Sequence, residues 1–258
     1  MGARANRDGR WRVRGVSMAG YRHLRDGLEC QDAHRHAFEP ATGSYVLAVA
    51  DGAGSRPRSA EGATLAVGIA VEQFTRRLAS AGLPRTPDAW HAWLADSFAA
   101  VVDAFLDTTA RIGRSPADFA ATLTVAVLAP PFIGTISLGD GIVIVGAGEG
   151  LHLVTFTPPA GEYVNETQFL SSTGAAAGAR TQLIEEPELT SLLLATDGVV
   201  PVGVRRDGTT LRPNTHFLDP VLDSLAGSDP AAVPRLLLED RVSRASADDK
   251  TMLAAVRT

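Results

Sequence analysis

Short apolar runs separated by turn residues alternate in this chain with two long segments of helical periodicity. The first run is the loosely alternating segment 11–18, and the second is YVLAVA at 45–50, which follows the turn-forming stretch 40–44. Both patterns predict strands. The polar segment between them shows no clear period, so we expect two strands joined by an irregular connection.

A first amphipathic helix is predicted over residues 60–80. Its apolar positions near one face include Leu65, Ile69 and Phe74. Ser59 directly precedes the periodic segment and is the expected N-cap, since a serine hydroxyl can accept a hydrogen bond from a free amide of the first turn.

A second helix has a clearer beginning. Thr86 is its predicted N-cap, Pro87 occupies the first helical position and Asp88 lies in the first turn. Its core positions recur at helical spacing and are Trp90, Leu94, Phe98, Val101, Val102 and Phe105. This helix is therefore expected to bury one aromatic-rich face.

After Phe119 the pattern changes to short β-branched runs. They are ATLTVAVLA, FIGTISLG, IVIVGAG and LHLVTFT, separated by Pro-Pro, Asp-Gly and Glu-Gly. Runs of this length between turn dipeptides predict an antiparallel meander.

The rest of the chain mixes loops with regular elements. The predicted order is a surface loop or flap over 158–180, a buried strand at 191–196, a polar loop over 199–217, one or two helices with the second beginning at Asp229-Pro230, and a closing strand TMLAAV. Segregated helices and antiparallel strands indicate an α+β fold. We expect one domain over residues 11–258, preceded by a flexible N-terminal arm at residues 1–10.

Composition narrows the classes of function. The 258 residues carry a net charge of -5, which gives no basic surface for nucleic acid or an anionic membrane. No apolar run approaches the roughly 20 residues of a membrane span, and no apolar segment of a secretory signal follows the basic N-terminus. Cys30 is the single cysteine, which fits a reducing, cytoplasmic setting; a small buried side chain is its simplest role.

Three apolar runs end in the same dipeptide, Asp-Gly, at Asp51, Asp140 and Asp197. Asp-Gly is also a favoured pair in two-residue hairpin turns, and this alternative is strongest at Asp140, where strand-like runs flank both sides. A further acidic pair, Asp248-Asp249, precedes the last strand and is equally explained as solvated acids.

Several carboxylates delivered to one place by buried strands would repel one another unless a cation lay between them. Mg²⁺ and Mn²⁺ prefer oxygen ligands of this kind, and two such ions that share a carboxylate can activate water and clamp a phosphoryl group. Zinc-ligand spacing, a phosphate-binding P-loop and a nucleophile elbow are all missing from the sequence.

Five motifs in order resemble the metal-dependent protein serine/threonine phosphatases of the PP2C type. They are CQDA (30–33), VADGAGS (49–55), SLGDG (137–141), ATDGV (195–199) and DDKTM (248–252). The resemblance spans residues 12–257 and implies a four-layer α-β-β-α sandwich, in which helices flank two antiparallel sheets. It also implies hydrolysis of phosphoserine or phosphothreonine in proteins by metal-activated water, without a phosphoenzyme.

The resemblance implies a centre with two Mn²⁺ or Mg²⁺ ions. Asp51 would bridge the two metals, and the carbonyl of Gly52 would bind one of them. Asp197 and Asp248 would complete the ligand set of the other metal. Asp32 would lie beside the second metal and its waters. Asp140 matches an acid that helps hold a third, weaker metal.

The chain departs from the family pattern around the metals at three positions. Gln31 replaces a common acid beside Asp32, so the second metal is expected to bind more weakly. Asp249 stands where many members have asparagine, and together with Gln31 it is a candidate to support the ligands. Pro201 stands where the other acid of the third site lies, which argues against a complete third site.

Two further departures concern the substrate. Gly27 falls where many members have a phosphate-binding arginine. Arg22, His23 or Arg25 could replace it, although a solvated basic loop explains the same residues. Ala53 falls where some members carry a histidine proposed as general acid, so another group would have to protonate the leaving alkoxide.

The leading hypothesis is therefore a soluble, bacterial-type phosphatase that acts in the cytoplasm on phosphorylated proteins and opposes a cognate Ser/Thr kinase in signal transduction. The second is a catalytically weak pseudophosphatase that binds phosphoproteins or a regulatory partner. The changes at Gly27 and Gln31 favour the second hypothesis, whereas retention of Asp51, Asp197 and Asp248 opposes it. A phosphatase of small phosphorylated metabolites is a third reading.

Overall fold

A computed structural model describes residues 11–112, 115–148, 150–155, 167–208, 210–227, 229 and 231–258. The predicted arm at residues 1–10 lies outside these ranges, and so does the first part of the predicted 158–180 loop. Every statement below concerns the described residues.

Strands and helices follow one another in the order expected of an α+β fold. The strands are β1 (Trp11–Met18), β2 (Ala33–Glu39), β3 (Ser44–Ala50), β4 (Leu123–Ala129), β5 (Phe132–Leu138), β6 (Ile142–Ala147), β7 (Gly150–Thr155), β8 (Arg180–Glu185), β9 (Leu189–Ala195), β10 (Val204–Asp207), β11 (Thr210–Pro213) and β12 (Lys250–Arg257). The helices are α1 (Tyr21–Asp26), α2 (Ser59–Ala81), α3 (Pro87–Arg111), α4 (Ala175–Gly178), α5 (Val200–Gly203), α6 (Thr215–Ala226), α7 (Ala232–Leu237) and α8 (Asp240–Ala245).

Two antiparallel five-stranded sheets form the centre of the fold. Sheet I has the order β1-β12-β9-β6-β7, and sheet II has the order β2-β3-β4-β5-β8. The strands β10 and β11 pair as a separate hairpin. Within each sheet the strand pairs run antiparallel, so the end of one strand lies beside the start of its neighbour.

Alternation along the strands builds three apolar layers. In β3, Val46, Ala48 and Ala50 belong to the core shared with α2 and α3. Leu47 and Val49 belong to the core between the two sheets, because successive strand residues point to opposite faces. A third core joins the outer face of sheet I to α6 and α7. The four-layer α-β-β-α sandwich is therefore confirmed.

The beginnings of the two long helices differ in their capping. Thr86 caps α3 as predicted, accepting a hydrogen bond from the amide of Ala89 at 3.3 Å. The prediction that Ser59 caps α2 is wrong by one residue: Arg58 is the N-cap and makes no side-chain cap. Ser59 is inside the helix, and its hydroxyl donates back to the carbonyl of Arg56 at 3.2 Å.

The prediction of a continuous meander after Phe119 is also wrong. The strand β5 pairs in sheet II whereas β6 pairs in sheet I, so the chain changes sheets between them. Asp140 lies in this crossing and is not at the tip of a hairpin. The positive φ that permits the bend belongs to Gly139, at 107°, and not to Gly141.

Several regular elements lie where the sequence predicted loops. The polar segment after β1 contains α1 and the strand β2, and the 199–217 loop contains α5, β10 and β11. The edge strand β8 follows the predicted flap, and three short helices rather than one or two precede β12. Within the described residues, no helix has the length and apolarity needed to cross a membrane.

Candidate metal centre and active site

Strand ends from both sheets meet at one end of the sandwich. Asp51 follows β3 of sheet II, Asp197 follows β9 of sheet I, and Asp140 lies in the crossing from β5 to β6. Each of these three residues offers a carboxylate oxygen, and the three oxygens lie within 4.8 Å of one another. The structure thus brings together all three acids of the Asp-Gly pairs.

The glycines that follow Asp51 and Asp197 allow close backbone packing. A Cβ on Gly52 would lie 2.6 Å from the carbonyl oxygen of Gln31, and one on Gly198 would lie 1.8 Å from that of Asp249. Neither glycine has a positive φ. Because they lack a Cβ, these glycines let the segments before β2 and β12 approach the ends of β3 and β9. The preference of Asp-Gly for hairpin turns does not explain this close approach.

Asp32 lies deeper than the three clustered acids and is 8% exposed. Its Oδ2 accepts a hydrogen bond from the Thr196 hydroxyl at 2.7 Å. The amide of Thr251 donates to the same Thr196 oxygen at 3.0 Å. Sequence reasoning missed Thr196, although its place beside Asp197 in the ATDGV motif was a signal.

Burial and mutual repulsion disfavour ionisation throughout the cluster. Burial raises the pKa of Asp51 most, and the charges of Asp32 and Asp197 raise it further. Burial likewise raises the pKa of Asp32, against the hydrogen bond from Thr196. For Asp197, burial and the charges of Asp140 and Asp248 raise the pKa to about 6. A cation between these groups would remove this cost.

Asp248 lies at the edge of the cluster. Its charge raises the pKa of both Asp140 and Asp197, and its Oδ1 is 3.3 Å from Nη2 of Arg22. The backbone carbonyl of Asp248 accepts a hydrogen bond from the buried Lys250 ammonium at 2.8 Å. Lys250 was not singled out from the sequence, and its ammonium also donates to the carbonyl of Ser246, so it fixes the segment just before β12.

The three basic candidates for phosphate binding lie on α1 but have different surroundings. Arg22 is half-exposed, contacts Asp248 and lowers the pKa of Asp197 through its charge. Arg25 is exposed and pairs with its neighbour Asp26 at 2.8 Å. His23 is 5% exposed, and its ring nitrogen is bonded to another residue of the site.

That residue is Asp249, which is 3% exposed. Its Oδ1 and Oδ2 lie 2.8 and 2.9 Å from Nδ1 of His23. Backbone amides of Gly20 and Gln31 also donate to it, at 2.7 and 2.5 Å. The side-chain oxygen of Gln31 is buried and has no hydrogen-bond partner among the described residues.

Cys30 and Pro201 were also singled out from the sequence. Burial raises the pKa of the Cys30 thiol to about 12, so this half-buried side chain is no ready nucleophile. Pro201 lies in α5, just after the turn at Asp197, and carries no oxygen on its side chain.

The donor set fits a hard divalent cation. All the side chains that converge are carboxylates, they are partly or fully buried, and their pKa values rise because burial and the neighbouring acids disfavour ionisation. Oxygen-only sites of this kind suit Mg²⁺ or Mn²⁺ better than zinc, which favours histidine and cysteine.

Comparison with known proteins agrees with this fold and site. The family model for protein phosphatase 2C matches residues 19–237. Serine/threonine-protein phosphatase 3 of Escherichia coli K12 is 28% identical over 257 residues, covering 95% of this chain and 98% of the relative.

Solved structures share the architecture at low sequence identity. The serine/threonine phosphatase Stp1 from Staphylococcus aureus has a TM-score of 0.65 at 14% identity, with 100% of each chain covered. PppA of Pseudomonas aeruginosa, a key regulatory component of T6SS, has a TM-score of 0.60 at 19% identity, covering 96% of this chain and 98% of that one.

A sandwich of two antiparallel sheets with an acidic cluster at one end defines the class, an α+β phosphatase fold with a candidate metal centre. The chain belongs to the protein phosphatase 2C family, whose model matches most of its length. It is therefore a protein phosphatase, and so a hydrolase.

Proposed function

We propose that this chain hydrolyses phosphoserine and phosphothreonine in proteins at a centre that holds two Mn²⁺ or Mg²⁺ ions. The observation that carries the proposal is the convergence of Asp51, Asp140 and Asp197, whose carboxylate oxygens lie within 4.8 Å of one another. The E. coli relative is named a serine/threonine-protein phosphatase, which supports the same substrate class.

The ligands of the centre come from both sheets. In this proposal Asp51 and the Gly52 carbonyl after β3 would hold the ions from sheet II, while Asp197 and Asp248, which follow β9 and precede β12, would hold one ion from sheet I. Asp32, which accepts a hydrogen bond from the Thr196 hydroxyl, would support the second ion and its waters. When bound, the ions neutralise the acid cluster and supply an activated water near neutral pH.

Asp140 is the remaining acid of the cluster, and we propose it as the ligand of a third, weaker cation. It lies in the crossing between the sheets, within reach of Asp51 and Asp197. Pro201 supplies no partner for it, so this cation would rely on Asp140 and water.

Arg22 is the phosphate-binding residue of this proposal. It is the basic side chain of α1 that reaches the acid cluster, through its contact with Asp248, and its half-exposed guanidinium can accept an incoming dianion. Arg25 is paired with Asp26, and the buried His23 is hydrogen-bonded to Asp249.

The cellular setting belongs to the same proposal. A protein phosphorylated by a cognate Ser/Thr kinase is the expected substrate, the site is expected to act within a single domain over 11–258, and the expected compartment is the cytoplasm. Phosphate hydrolysis and substrate class can each be measured directly.

Activity is tested with para-nitrophenyl phosphate in Mn²⁺ and in EDTA, using the native chain and Asp197→Ala. We expect turnover only in the native chain with Mn²⁺, because Asp197 is one of the three converging acids. The exposed Asp103 on α3 provides a matched control, and Asp103→Ala should keep full activity. Equal turnover by Asp197→Ala and the native chain would refute the proposal.

Substrate class is tested with phosphopeptides of one sequence carrying phosphoserine, phosphothreonine or phosphotyrosine. Release of phosphate should favour the first two. Binding of these peptides without Mn²⁺-dependent turnover would instead identify a pseudophosphatase, and preference for phosphotyrosine would contradict the assigned substrate.

A further inference from the structure

His23 and Asp249 form a buried hydrogen-bonded pair beside the acid cluster. His23 and Asp249 are 5% and 3% exposed, and Nδ1 of the imidazole lies 2.8 and 2.9 Å from the two carboxylate oxygens. Because a carboxylate accepts and does not donate, the proton of this contact belongs to Nδ1. The contact therefore fixes the tautomer and the orientation of the ring.

The same carboxylate receives two backbone donors, one on each oxygen. The amide of Gly20 lies 2.7 Å from Oδ1, and the amide of Gln31 lies 2.5 Å from Oδ2. Burying an unpaired carboxylate is costly, and three donors offset that cost at Asp249. Asparagine at this position has one oxygen and could not accept both amides in this way.

These contacts tie together three segments that are distant in sequence. Gly20 directly precedes α1, which carries Arg22; Gln31 directly precedes Asp32. Asp249 itself follows Asp248, and its amide donates to the Asp248 carboxylate at 3.1 Å. One side chain thus lies between the proposed phosphate ligand and two of the proposed metal ligands.

We propose that His23 and Asp249 form a positioning pair that holds Arg22, Asp32 and Asp248 in register for metal and phosphate binding. This inference rests on the proposed function, because that function assigns metal and phosphate binding to Arg22, Asp32 and Asp248. The pair touches neither substrate nor metal itself and acts through the segments that it joins.

The distinguishing variants change the pair in graded steps. His23→Asn keeps an amide donor near the place of Nδ1, His23→Leu removes the donor, and Asp249→Asn removes one oxygen needed by the backbone amides. Each variant is first checked for native secondary structure by circular dichroism. Mn²⁺ affinity is then measured by calorimetry, which needs no turnover.

We expect His23→Leu to weaken Mn²⁺ binding about 10-fold or more, as loss of support for metal ligands commonly does. His23→Asn should bind Mn²⁺ with close to native affinity. Asp249→Asn should bind Mn²⁺ more weakly than His23→Leu does. If His23→Leu does not fold, the comparison of His23→Asn with Asp249→Asn still decides the matter, since only the second loses a backbone anchor.

A coupling measurement separates positioning from general destabilisation. KM and kcat for para-nitrophenyl phosphate are measured for Arg22→Ala, His23→Leu and the double variant. Arg22→Ala should raise KM less in the His23→Leu background, because Arg22 is already misplaced there. The control Leu222→Ala destabilises the remote α6 layer and should leave Mn²⁺ affinity and the Arg22 effect unchanged.

Native Mn²⁺ affinity in both His23→Leu and Asp249→Asn, with an unchanged effect of Arg22→Ala, would overturn the positioning role. The same changes in Leu222→Ala would also overturn it, since they would reflect lost stability alone. If the native chain shows no turnover at all, the proposed function fails, whereas Mn²⁺ affinities still test the pair.

Discussion

At the scale of single residues, the two arginines of α1 offer the sharpest contrast. Arg22 and Arg25 are three positions apart and similarly exposed, at 53% and 61% of the side chain, yet only Arg22 reaches the acid cluster. The difference lies in their neighbours: Asp248 lies beside one guanidinium and Asp26 beside the other. Exposure alone does not identify the side chain that reaches the acid cluster.

Arg22→Ala should therefore lower kcat/KM roughly 10- to 100-fold, mainly through KM, which corresponds to the loss of a charge-assisted contact to phosphate. Arg25→Ala should remain within about twofold of the native chain, since exposed pairs contribute little. Steady-state kinetics with one phosphopeptide measures both. An effect of equal size in the two variants would remove Arg22 from its assigned role.

At the scale of elements, the geometry of the site depends on close packing between the ends of β3 and β9 and the segments before β2 and β12. Gly198 opens the turn after β9, and a Cβ there would lie 1.8 Å from the carbonyl oxygen of Asp249. A backbone atom cannot move aside as a flexible side chain can. The start of β12, with Asp248, would have to shift.

Gly198→Ala should therefore destabilise the protein by about 1–3 kcal/mol, typical of overpacking, and weaken Mn²⁺ binding. Gly68→Ala is the matched control, because Gly68 lies within α2 and a Cβ there meets only the guanidinium of Arg35 at 3.8 Å. Alanine in a helix should leave Gly68→Ala as stable as the native chain or more so. Thermal unfolding that ranks the two variants in the opposite order would contradict this packing argument.

Sequence patterns predicted the elements with strong periodicity and missed those whose surroundings decide their structure. The helix beginning at Thr86 is correct because its cap, proline and apolar face all agree. The edge strands β2 and β8 were missed because each has a neighbour on one side only and carries many polar residues. The change of sheet at Asp140 was invisible, since a strand run has the same pattern in either sheet.

The acids of the candidate site were predictable for a different reason: their motifs occur in a fixed order along the chain. Asp51, Asp140 and Asp197 indeed lie together. The supports were harder to predict, because the contacts of Thr196 and His23 are made to residues 164 and 226 positions away. Long-range hydrogen bonds leave no local pattern.

At the scale of the whole molecule, the cluster should couple metal binding to folding. Burial raises the pKa of Asp197 from 3.8 to about 6, with the charges of Asp140 and Asp248 adding to the effect. A carboxyl group with a raised folded-state pKa gives its full stability below the unfolded value, and that stability is lost as pH rises through about 6. Without metal, the ionised carboxylate of Asp197 therefore weakens the fold at neutral pH.

Asp197→Asn should consequently be more stable than the native chain in EDTA at pH 7, by roughly 2–3 kcal/mol. That difference should shrink as pH falls toward 4, because the folded-state carboxyl of Asp197 is then protonated, whereas the unfolded-state carboxyl, with its pKa of 3.8, is still partly ionised. Titrations of His34 and His36, which burial also perturbs, cancel because both proteins contain them. Melting temperatures at several pH values between 4 and 8 measure the difference.

Saturating Mn²⁺ should reverse the order at pH 7, because the ion stabilises only a folded state that can bind it. The native chain then gains stability that Asp197→Asn, lacking one carboxylate of the cluster, cannot gain to the same extent. Asp103→Asn, at an exposed position of α3, should follow the native chain in both conditions. A native chain more stable than Asp197→Asn in EDTA at pH 7 would show that the acids repel one another too weakly for metal binding to be linked to folding in this way.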